Sequence, residues 1–240
     1  MRYSLRASKI LFMDKVEALR ATALFGGLTD TDLSALANRA VEQKLGKGEI
    51  LFLSGDAARG LYVIVEGAVR AFRVGSDGRE QVIHVEKPGA TVGEVPVFDE
   101  GTYPSTTAGE EDSILLFIGA ADVRRLFLEH PAIAVSAIKV LARRLRNCAA
   151  LVETLSLHDV DRRLARLLLT EAKSHGVRRG STINLDFPLT HQQVASRIGS
   201  VREVVSRAFS RLQQAGFIRL ESRTVIVTDV ERFTRYTEGE

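Results

Sequence analysis

The sequence predicts an α+β protein in which a β-rich region is followed by a long helix and a winged helix-turn-helix. Three observations support this fold class. Short apolar runs alternate with glycines over residues 41–118, as in all-β sandwiches and barrels. Apolar residues then repeat at spacings of 3 and 4 over residues 134–155, which is a heptad pattern. The remaining chain contains two short helical segments separated by a glycine and followed by a predicted β-hairpin.

The composition is that of a folded protein rather than a disordered one. Of the 240 residues, 45% are hydrophobic and 26% are charged, and this length allows two small domains or one large one. The net charge of +3 and the pI near 9.2 are compatible with nucleic-acid binding but do not establish it. No apolar run approaches a membrane span of roughly 18 residues, and the stretch MRYSLRASKILFMDK lacks the features of a signal peptide. We therefore expect a cytoplasmic protein without a membrane partner.

The β-rich region follows a predicted helical stretch over residues 14–40. Thr29 is the candidate N-cap residue of the segment LTDTDLSALANRA, with Asp32 three residues later. Asp77 and Gly78 form the predicted tip of a hairpin, because this pair readily adopts the left-handed conformations of a tight turn. The predicted strands are EILFL, GLYVIVEG, AVRAFRV, EQVIHVE and SILLFI.

The long helix carries an apolar stripe that we call the seam. It consists of Ala134 followed by Ile138, Leu141, Leu145, Cys148, Val152 and Leu155. A period of 3.5 residues favours pairing with a second, parallel copy of the helix, whereas a single helix buried in a monomer is the alternative. A second apolar set, Ile133, Ala137 and Val140, is expected to pack on the β-rich region. We expect Cys148 to contribute packing rather than redox chemistry, because burial suppresses thiol reactivity.

The third region begins near Asp159 with the amphipathic segment DRRLARLLLTEAKSHG, for which Gly176 is the candidate C-cap residue. The segment THQQVASRIGS begins a helix at Thr190 and ends it at Gly199. A second helix follows, and FIRLESRTVIVTD then predicts two strands joined by a tight turn. This order of elements is typical of a winged helix-turn-helix.

The second helix of this motif, SVREVVSRAFSRL, has two sharply different sides when it is plotted at 100° per residue. One side carries Arg202, Glu203, Ser206, Arg207 and Ser210, and the other is apolar. In a helix-turn-helix the polar side enters the major groove, where arginine can donate to guanine and glutamate can accept from cytosine. An ordinary solvated helix face is the alternative.

The sequence resembles the Crp/Fnr family of bacterial transcription regulators over roughly residues 20–235. The segments LTHQQVASRIGSVREVVSRAFSRLQQAGFI, LFGGL and GEVPVFDEG carry the resemblance, together with the long helix 132–155. It implies an effector-binding double-stranded β-helix (β-roll) within residues 1–121, a dimerisation helix within 122–157 and a DNA-binding domain within 158–240. It also implies a homodimer that binds double-stranded DNA at a palindromic promoter site with TGTGA-like half-sites and contacts RNA polymerase.

The resemblance also assigns roles to individual residues of the DNA-binding region. Arg202, Glu203 and Arg207 match the base-reading positions of the family, and Ser206 is a weaker match. The positions that touch the DNA backbone are Thr190, His191, Gln192 and Ser200.

The effector pocket implied by the resemblance is incomplete. Family members that bind cyclic nucleotides have a Gly-Glu pair followed by Arg-Ser or Arg-Thr, in which the glutamate holds the ribose and the arginine neutralises the phosphate. Gly93 and Glu94 preserve the first pair, and Ser105 and Thr106 follow, but Pro104 occupies the arginine position. We therefore do not expect cyclic AMP to bind in the usual way, and we favour a role for the Gly93–Glu94 pair in the turn geometry of the β-roll.

Other sensors of the family carry iron–sulfur clusters or haem. A single cysteine argues against an iron–sulfur cluster. Haem stays an alternative, because a histidine could provide an axial ligand and the stretch VETLSLHDVDRRLARLLLT resembles the haem-linked branch of the family. His84, His130, His158 and His175 show no metal-ligand spacing, however, and each is expected to be an ordinary surface or core histidine. The effector is therefore left unassigned.

No Ser/His/Asp or Cys/His arrangement, phosphate-binding loop or HExxH motif occurs in the sequence, so we do not predict an enzyme. The leading hypothesis is a dimeric transcription factor. The alternative is a β-roll module that regulates a partner protein through its C-terminal helices. Arg202, Glu203 and Arg207 favour the first hypothesis, because a docking helix usually exposes apolar anchors.

Overall fold

The computed structural model describes residues 12–238, so the first eleven residues of the N-terminal stretch considered above lie outside it. The chain divides into two compact units. One consists of Met1–Arg73 and Ile83–Asn147, and the other of Val74–Val82 and Cys148–Glu240. Among the described residues, no helix combines the length and apolarity that a membrane crossing requires.

The N-terminal unit contains an antiparallel β-roll with flanking helices, which confirms the predicted fold class. Two four-stranded sheets are formed in the orders β1-β8-β3-β6 and β2-β7-β4-β5. The strands are β1 (Val41–Leu45), β2 (Ile50–Phe52), β3 (Gly60–Glu66), β4 (Val69–Val74), β5 (Glu80–Glu86), β6 (Thr91–Val92), β7 (Thr106–Gly109) and β8 (Ser113–Gly119). The helices are α1 (Phe12–Arg20), α2 (Asp30–Arg39), α3 (Glu94–Asp99), α4 (Ala120–Glu129) and α5 (Pro131–Leu157), of which the part from Cys148 onward belongs to the other unit.

The alternation of side chains along β3 separates two layers of core. Leu61 and Val63 belong to a cluster with residues of α1, α2, α4 and α5, whereas Tyr62 and Ile64 belong to the cluster inside the roll. Successive residues of a strand point to opposite faces, so a single strand connects the two clusters. The Thr29 side chain accepts a hydrogen bond from the Asp32 backbone N–H, which confirms the predicted N-cap of α2.

The segment assigned to dimerisation contains two helices rather than one. The first, α4, ends before His130, and α5 begins at Pro131. Proline is favoured at the first helical position, because its missing N–H would have no partner there and its φ is already helical. Ile133 and Ala137 of α5 are buried against the N-terminal unit, as predicted, whereas Val140, the third residue of that set, is half-buried and lies outside this cluster.

The C-terminal region is a winged helix-turn-helix with its own core. Its sheet has the order β11-β12-β10-β9. The elements are α6 (Val160–His175), β9 (Val177–Arg179), β10 (Thr182–Asp186), α7 (His191–Ile198), α8 (Arg202–Gln214), β11 (Ile218–Glu221), β12 (Thr224–Val227) and α9 (Val230–Glu238). Sequence reasoning did not anticipate α9, which buries Val230 and Phe233 in this core.

Candidate nucleic-acid interface and effector region

The polar side of α8 is solvent-exposed over its full length. We call Arg202, Glu203, Ser206, Arg207 and Ser210 the recognition face. All five are exposed. The opposite side places Val205, Ala208, Phe209 and Leu212 in the core of the winged helix. The division predicted from the helical period is therefore confirmed.

The turn between α7 and α8 fixes the direction of the recognition face. Thr190 and Gln193 form a capping box at the start of α7, which satisfies backbone N–H groups there. Gly199 adopts the left-handed conformation with φ 63° at the other end. Arg163 Nη1 donates hydrogen bonds to the carbonyl oxygens of Ile198 at 2.7 Å and Gly199 at 3.0 Å. A side chain of α6 thus holds the end of α7, a contact that local sequence patterns did not indicate.

Some charged side chains of α8 form ion pairs within the protein, and others do not. Arg211 donates from Nε and Nη2 to both carboxylate oxygens of Asp161 on α6. Within residues 12–238, no hydrogen bond or ion pair engages the side chains of Arg202, Glu203 or Arg207. Arg211 therefore attaches α8 to the domain, and the other three side chains remain able to bind an external partner.

The residues expected at the DNA backbone lie at the start of α7 and in the turn that follows this helix. Gln192 is exposed, whereas His191 and Ser200 are half-buried. The His191 ring stacks on Phe209, with 4.9 Å between the ring centroids. Thr190 is exposed, but its hydroxyl is occupied by the capping box. The capping box uses the N–H groups of Thr190 and Gln193, and the positive end of the helix dipole still favours an anion at this end of α7.

The hairpin of β11 and β12, which is the wing of this domain, carries positive charge that sequence reasoning did not single out. Arg219 lies on β11, and Arg223 lies beside the tight turn at Ser222, where φ is 56°. Both arginines are exposed. The winged helix therefore has cationic side chains on the hairpin as well as on α8.

The seam of α5 is uncovered within a single chain. Ile138, Leu145 and Val152 expose 65%, 72% and 63% of their surface. Cys148 is exposed, and Leu141 and Leu155 are half-buried. The chain's own core therefore does not bury this stripe, which differs from the alternative of one helix buried in a monomer. An apolar stripe of this length usually marks a protein interface.

Two of the predicted effector residues, Gly93 and Glu94, lie beside a stacked pair of aromatic rings in the β-roll. Gly93 has φ 81° and precedes α3, and Glu94 is fully buried. The Tyr103 ring stacks on Phe52 at 3.7 Å between centroids. A Cβ at Gly93 would lie only 3.0 Å from Tyr103 Cε1, so the Tyr103 ring packs closely against the Gly93 backbone.

Glu94 forms an ion pair with a residue that sequence reasoning had placed beside the seam. The Nε atom of Arg144 on α5 lies 2.7 Å from Glu94 Oε1, although the N–H is not aligned as in a regular hydrogen bond. Burial raises the pKa of Glu94, and Arg144 offsets this shift only in part. The carboxylate to which the family resemblance assigns ribose binding is therefore already paired with an internal cation.

Arg144 joins three further groups around this carboxylate. Its Nη1 lies 3.2 Å from His84 Nε2, and its Nη2 donates to the Thr91 carbonyl oxygen at 2.6 Å. Glu86 Oε1 lies 3.6 Å from Arg144 Nη2 and 3.3 Å from His84 Nδ1. Burial favours a higher pKa for Glu86, but His84 and Arg144 outweigh it and lower the pKa. The cluster connects α5 to both β5 and the segment before α3.

A different arginine contacts the residue at the position of the missing phosphate-binding arginine. Arg73 Nη1 donates to the Pro104 carbonyl oxygen at 2.6 Å and to Ser54 Oγ at 3.0 Å. Ser105 is buried, and Thr106 Oγ1 accepts a hydrogen bond from the Ser54 N–H.

Two other arginines that could have replaced this phosphate ligand have partners elsewhere. Arg70 pairs with Glu110, and Arg79 pairs with Asp77. The residues present therefore depart from the usual cyclic-nucleotide arrangement at two positions, because Glu94 is paired with Arg144 and Pro104 replaces the phosphate-binding arginine.

The fold and the exposed helix-turn-helix define a DNA-binding transcription regulator, and comparisons with known proteins agree. A cyclic nucleotide-binding domain model matches residues 42–130, and a Crp-like helix-turn-helix domain model matches residues 162–236. A CRP-like cAMP-activated global transcriptional regulator of Mycobacterium tuberculosis is 31% identical over 221 residues, covering 91% of this chain and 98% of that protein. A cyclic AMP receptor protein of Thermus thermophilus is 29% identical, covering 88% and 94%.

Solved structures show the same fold. A regulator of the Crp/Fnr family from Eubacterium rectale matches with a TM-score of 0.75 and 21% identity, covering 92% of this chain and all of that one. The c-di-GMP-responsive global regulator CLP of Xanthomonas campestris matches with a TM-score of 0.73 and 22% identity, covering 83% and 99%. The chain belongs to the Crp/Fnr family of transcription regulators.

The changes at Pro104 and Glu94 predict that cyclic AMP does not bind saturably at micromolar concentration. Pro104 supplies no charge for the phosphate, and Arg144 already pairs with Glu94. Calorimetric titration of the full chain measures this directly. The variant Pro104→Arg is also expected not to bind cyclic AMP, because Tyr103 still stacks on Phe52 and Glu94 is still paired with Arg144. A clear isotherm with one site per subunit for the wild-type chain would contradict this account of the roll.

The Arg144–Glu94 pair predicts a pH-dependent loss of stability on mutation. Arg144→Gln leaves a buried carboxylate without a cation, which should cost about 3 kcal/mol at neutral pH. The pKa of Glu94 is already raised, so the lost stability should shrink as the pH falls through that raised pKa and Glu94 is protonated. Urea unfolding followed by tyrosine fluorescence, to which Tyr62 and Tyr103 of the roll contribute, measures the effect.

Two variants provide controls for this measurement. The double variant Arg144→Gln with Glu94→Gln should recover part of the loss, because it removes the orphaned charge. Arg146→Gln, an exposed arginine on the same helix, should have little effect. A loss in Arg144→Gln that is equal at all pH values would mean that Glu94 is not the group left unbalanced.

Proposed function

We propose that this regulator acts as a homodimer that binds a palindromic promoter site with TGTGA-like half-sites. The observation that carries the proposal is the recognition face of α8. Its Arg202, Glu203 and Arg207 side chains are exposed, and no described residue of the protein engages them. The Arg-Glu-x-x-x-Arg order of the family is retained, and this order supports the half-site.

The proposed roles follow from the hydrogen-bonding chemistry of base edges. Arg202 and Arg207 donate to the O6 and N7 atoms of guanines, and Glu203 accepts from a cytosine amino group. Ser206 lies between them on the same face and contributes a weaker contact. Thr190, His191, Gln192 and Ser200 position the helix through phosphates, which carry little sequence information.

The dimer is supported by the uncovered seam. Pairing two copies of α5 in parallel would bury the exposed side chains of Ile138, Leu145 and Val152 at once. A two-fold symmetric dimer presents two recognition helices, so the site is palindromic with half-sites about one helical turn apart. In this proposal residues 122–157 form the dimerisation segment between an effector domain over 1–121 and a DNA-binding domain over 158–240. Bound near a promoter, the dimer would act through contact with RNA polymerase.

Substitution of Glu203 is expected to change specificity rather than overall affinity. Glu203→Ala removes the acceptor for a cytosine amino group, so discrimination at that base pair should relax by about 1–3 kcal/mol. His191→Ala should instead weaken binding to all sequences alike. Competition binding against every single-base variant of the half-site measures both effects.

The same assay can contradict the assignment. If Glu203→Ala lowers affinity evenly and His191→Ala alters base preference, then the base-reading and backbone-binding residues have been exchanged. The variant Arg211→Gln is a control for the loss of an arginine on α8 that is not a base-reading residue, because Arg211 pairs with Asp161 within the protein. It should lower stability more than it changes base preference.

Substitution on the seam is expected to separate the subunits. Leu145→Asp would place a charge in an apolar interface in both helices, which is strongly unfavourable. We therefore expect monomers in sedimentation experiments and loss of DNA binding. Leu128→Asp is the matched control, because Leu128 on α4 is 86% exposed and lies outside the seam. A Leu145→Asp protein that still sediments as a dimer would exclude this interface.

The only cysteine in the sequence gives an independent test of helix register. In a parallel pair of α5 helices, the two copies of Cys148 on the seam would face each other. Mild oxidation of the wild-type protein should then give a covalent dimer that reductant reverses, and Leu145→Asp should abolish it. A covalent dimer that forms equally well in Leu145→Asp would contradict the parallel, in-register pairing.

A further inference from the structure

A cavity of about 630 Å³ lies beside α5 in the N-terminal unit. Three parts of the chain line it: the turn after α1, the segment from β5 to β6, and one side of α5. The α5 residues are Ser136, Lys139, Val140, Arg143, Arg144 and Asn147. We call it the flank cavity.

The flank cavity is distinct from the effector position implied by the family. None of Gly93, Glu94, Ser105 and Thr106 lines it. It also lies away from the seam. At 100° per residue, Ser136, Lys139, Arg143 and Asn147 fall on the side of α5 opposite to Ile138, Leu145 and Val152. Pairing of two helices along the seam would therefore leave the cavity open.

The charge of the cavity is predominantly positive. Its lining includes Lys87, Lys139, Arg143 and Arg144 against the single carboxylate of Glu86. Arg144 is engaged by Glu94, His84 and Thr91, and Glu86 is engaged by His84 and Arg144. The positive charge that remains along the α5 wall of the cavity is therefore that of Lys139 and Arg143.

Two of these cations are available to a ligand. Among the residues that the structure describes, no hydrogen bond or ion pair engages the side chains of Lys139 or Arg143, and both are exposed. They lie one helical turn apart, with the Ser136 hydroxyl before them and the Asn147 amide after them on the same side. Such a row offers two charges and neutral donors along one wall of a cavity large enough for a small metabolite.

We propose that the flank cavity binds a small organic anion with at least two negative charges, a phosphate ester or a polycarboxylate. Lys139 and Arg143 neutralise it, and Ser136 and Asn147 donate further hydrogen bonds. Arg143 directly precedes Arg144, which connects α5 to Glu94, so the ligand contacts the helix beside its attachment to the β-roll. An effect of the anion on DNA binding rests on the proposed function, whereas binding itself does not.

The test is calorimetric titration of the full chain, in a buffer without multivalent anions, with glycerol 3-phosphate, citrate and glycerol. At least one of the two anions should bind at one site per subunit with a Kd below about 1 mM, and neutral glycerol should not bind. Comparison of the two anions identifies whether phosphate or carboxylate is preferred. Failure of both anions to bind would overturn the proposal.

Matched variants on α5 decide whether this cavity is the site. Arg143→Gln and Lys139→Gln should each weaken binding about tenfold, since each removes a charge-assisted hydrogen bond. Arg146→Gln removes the same charge three residues away from Arg143, at a position that does not line the cavity. Equal weakening in Arg146→Gln and Arg143→Gln would indicate general charge attraction and overturn the site, as would an unchanged Kd in Arg143→Gln.

DNA binding is measured separately, without the anion. A protein that binds its half-sites as a dimer but neither anion overturns this inference and leaves the proposed function intact. A protein that binds an anion through Arg143 but has no sequence preference on DNA supports this inference and overturns the proposed function.

Discussion

The ion pair between Arg144 and Glu94 is the constraint around which the N-terminal unit is organised. A fully buried carboxylate is costly to maintain without a cation, and Arg144 is the cation that lies 2.7 Å from it. The same guanidinium reaches His84 and the Thr91 carbonyl oxygen. One side chain of α5 therefore attaches the helix to the β-roll at several points, and Tyr103 stacks on Phe52 inside the roll.

Three sides of α5 have different chemistry. Ile133 and Ala137 are buried against the N-terminal unit. The seam is apolar and exposed in the single chain, as expected of a surface that pairs with a second copy. The third side carries Lys139 and Arg143 and lines the flank cavity.

The recognition face depends equally on contacts made elsewhere. Phe209 and Leu212 anchor α8 in the core, and the Arg211–Asp161 pair attaches it to α6. Arg163 holds the end of α7 through two carbonyl oxygens. Side chains that bind bases require a helix held in one orientation, since supporting contacts set the precision of a binding site. The arginines of this domain accordingly divide into those that hold the scaffold and those that remain available.

The sequence by itself determined the features that depend on local periodicity and turn chemistry. The two sides of α8, the caps at Thr29 and Thr190, the glycine at 199 and the exposed seam all follow from residues close together in the chain. Tertiary structure alone decided the pairs Glu94–Arg144, Pro104–Arg73, Asp161–Arg211 and the Tyr103–Phe52 stack, whose members lie between 31 and 51 residues apart. Their partners are chosen by how strands and helices pack, and a repeat read along one segment contains no information about which distant side chain will face it.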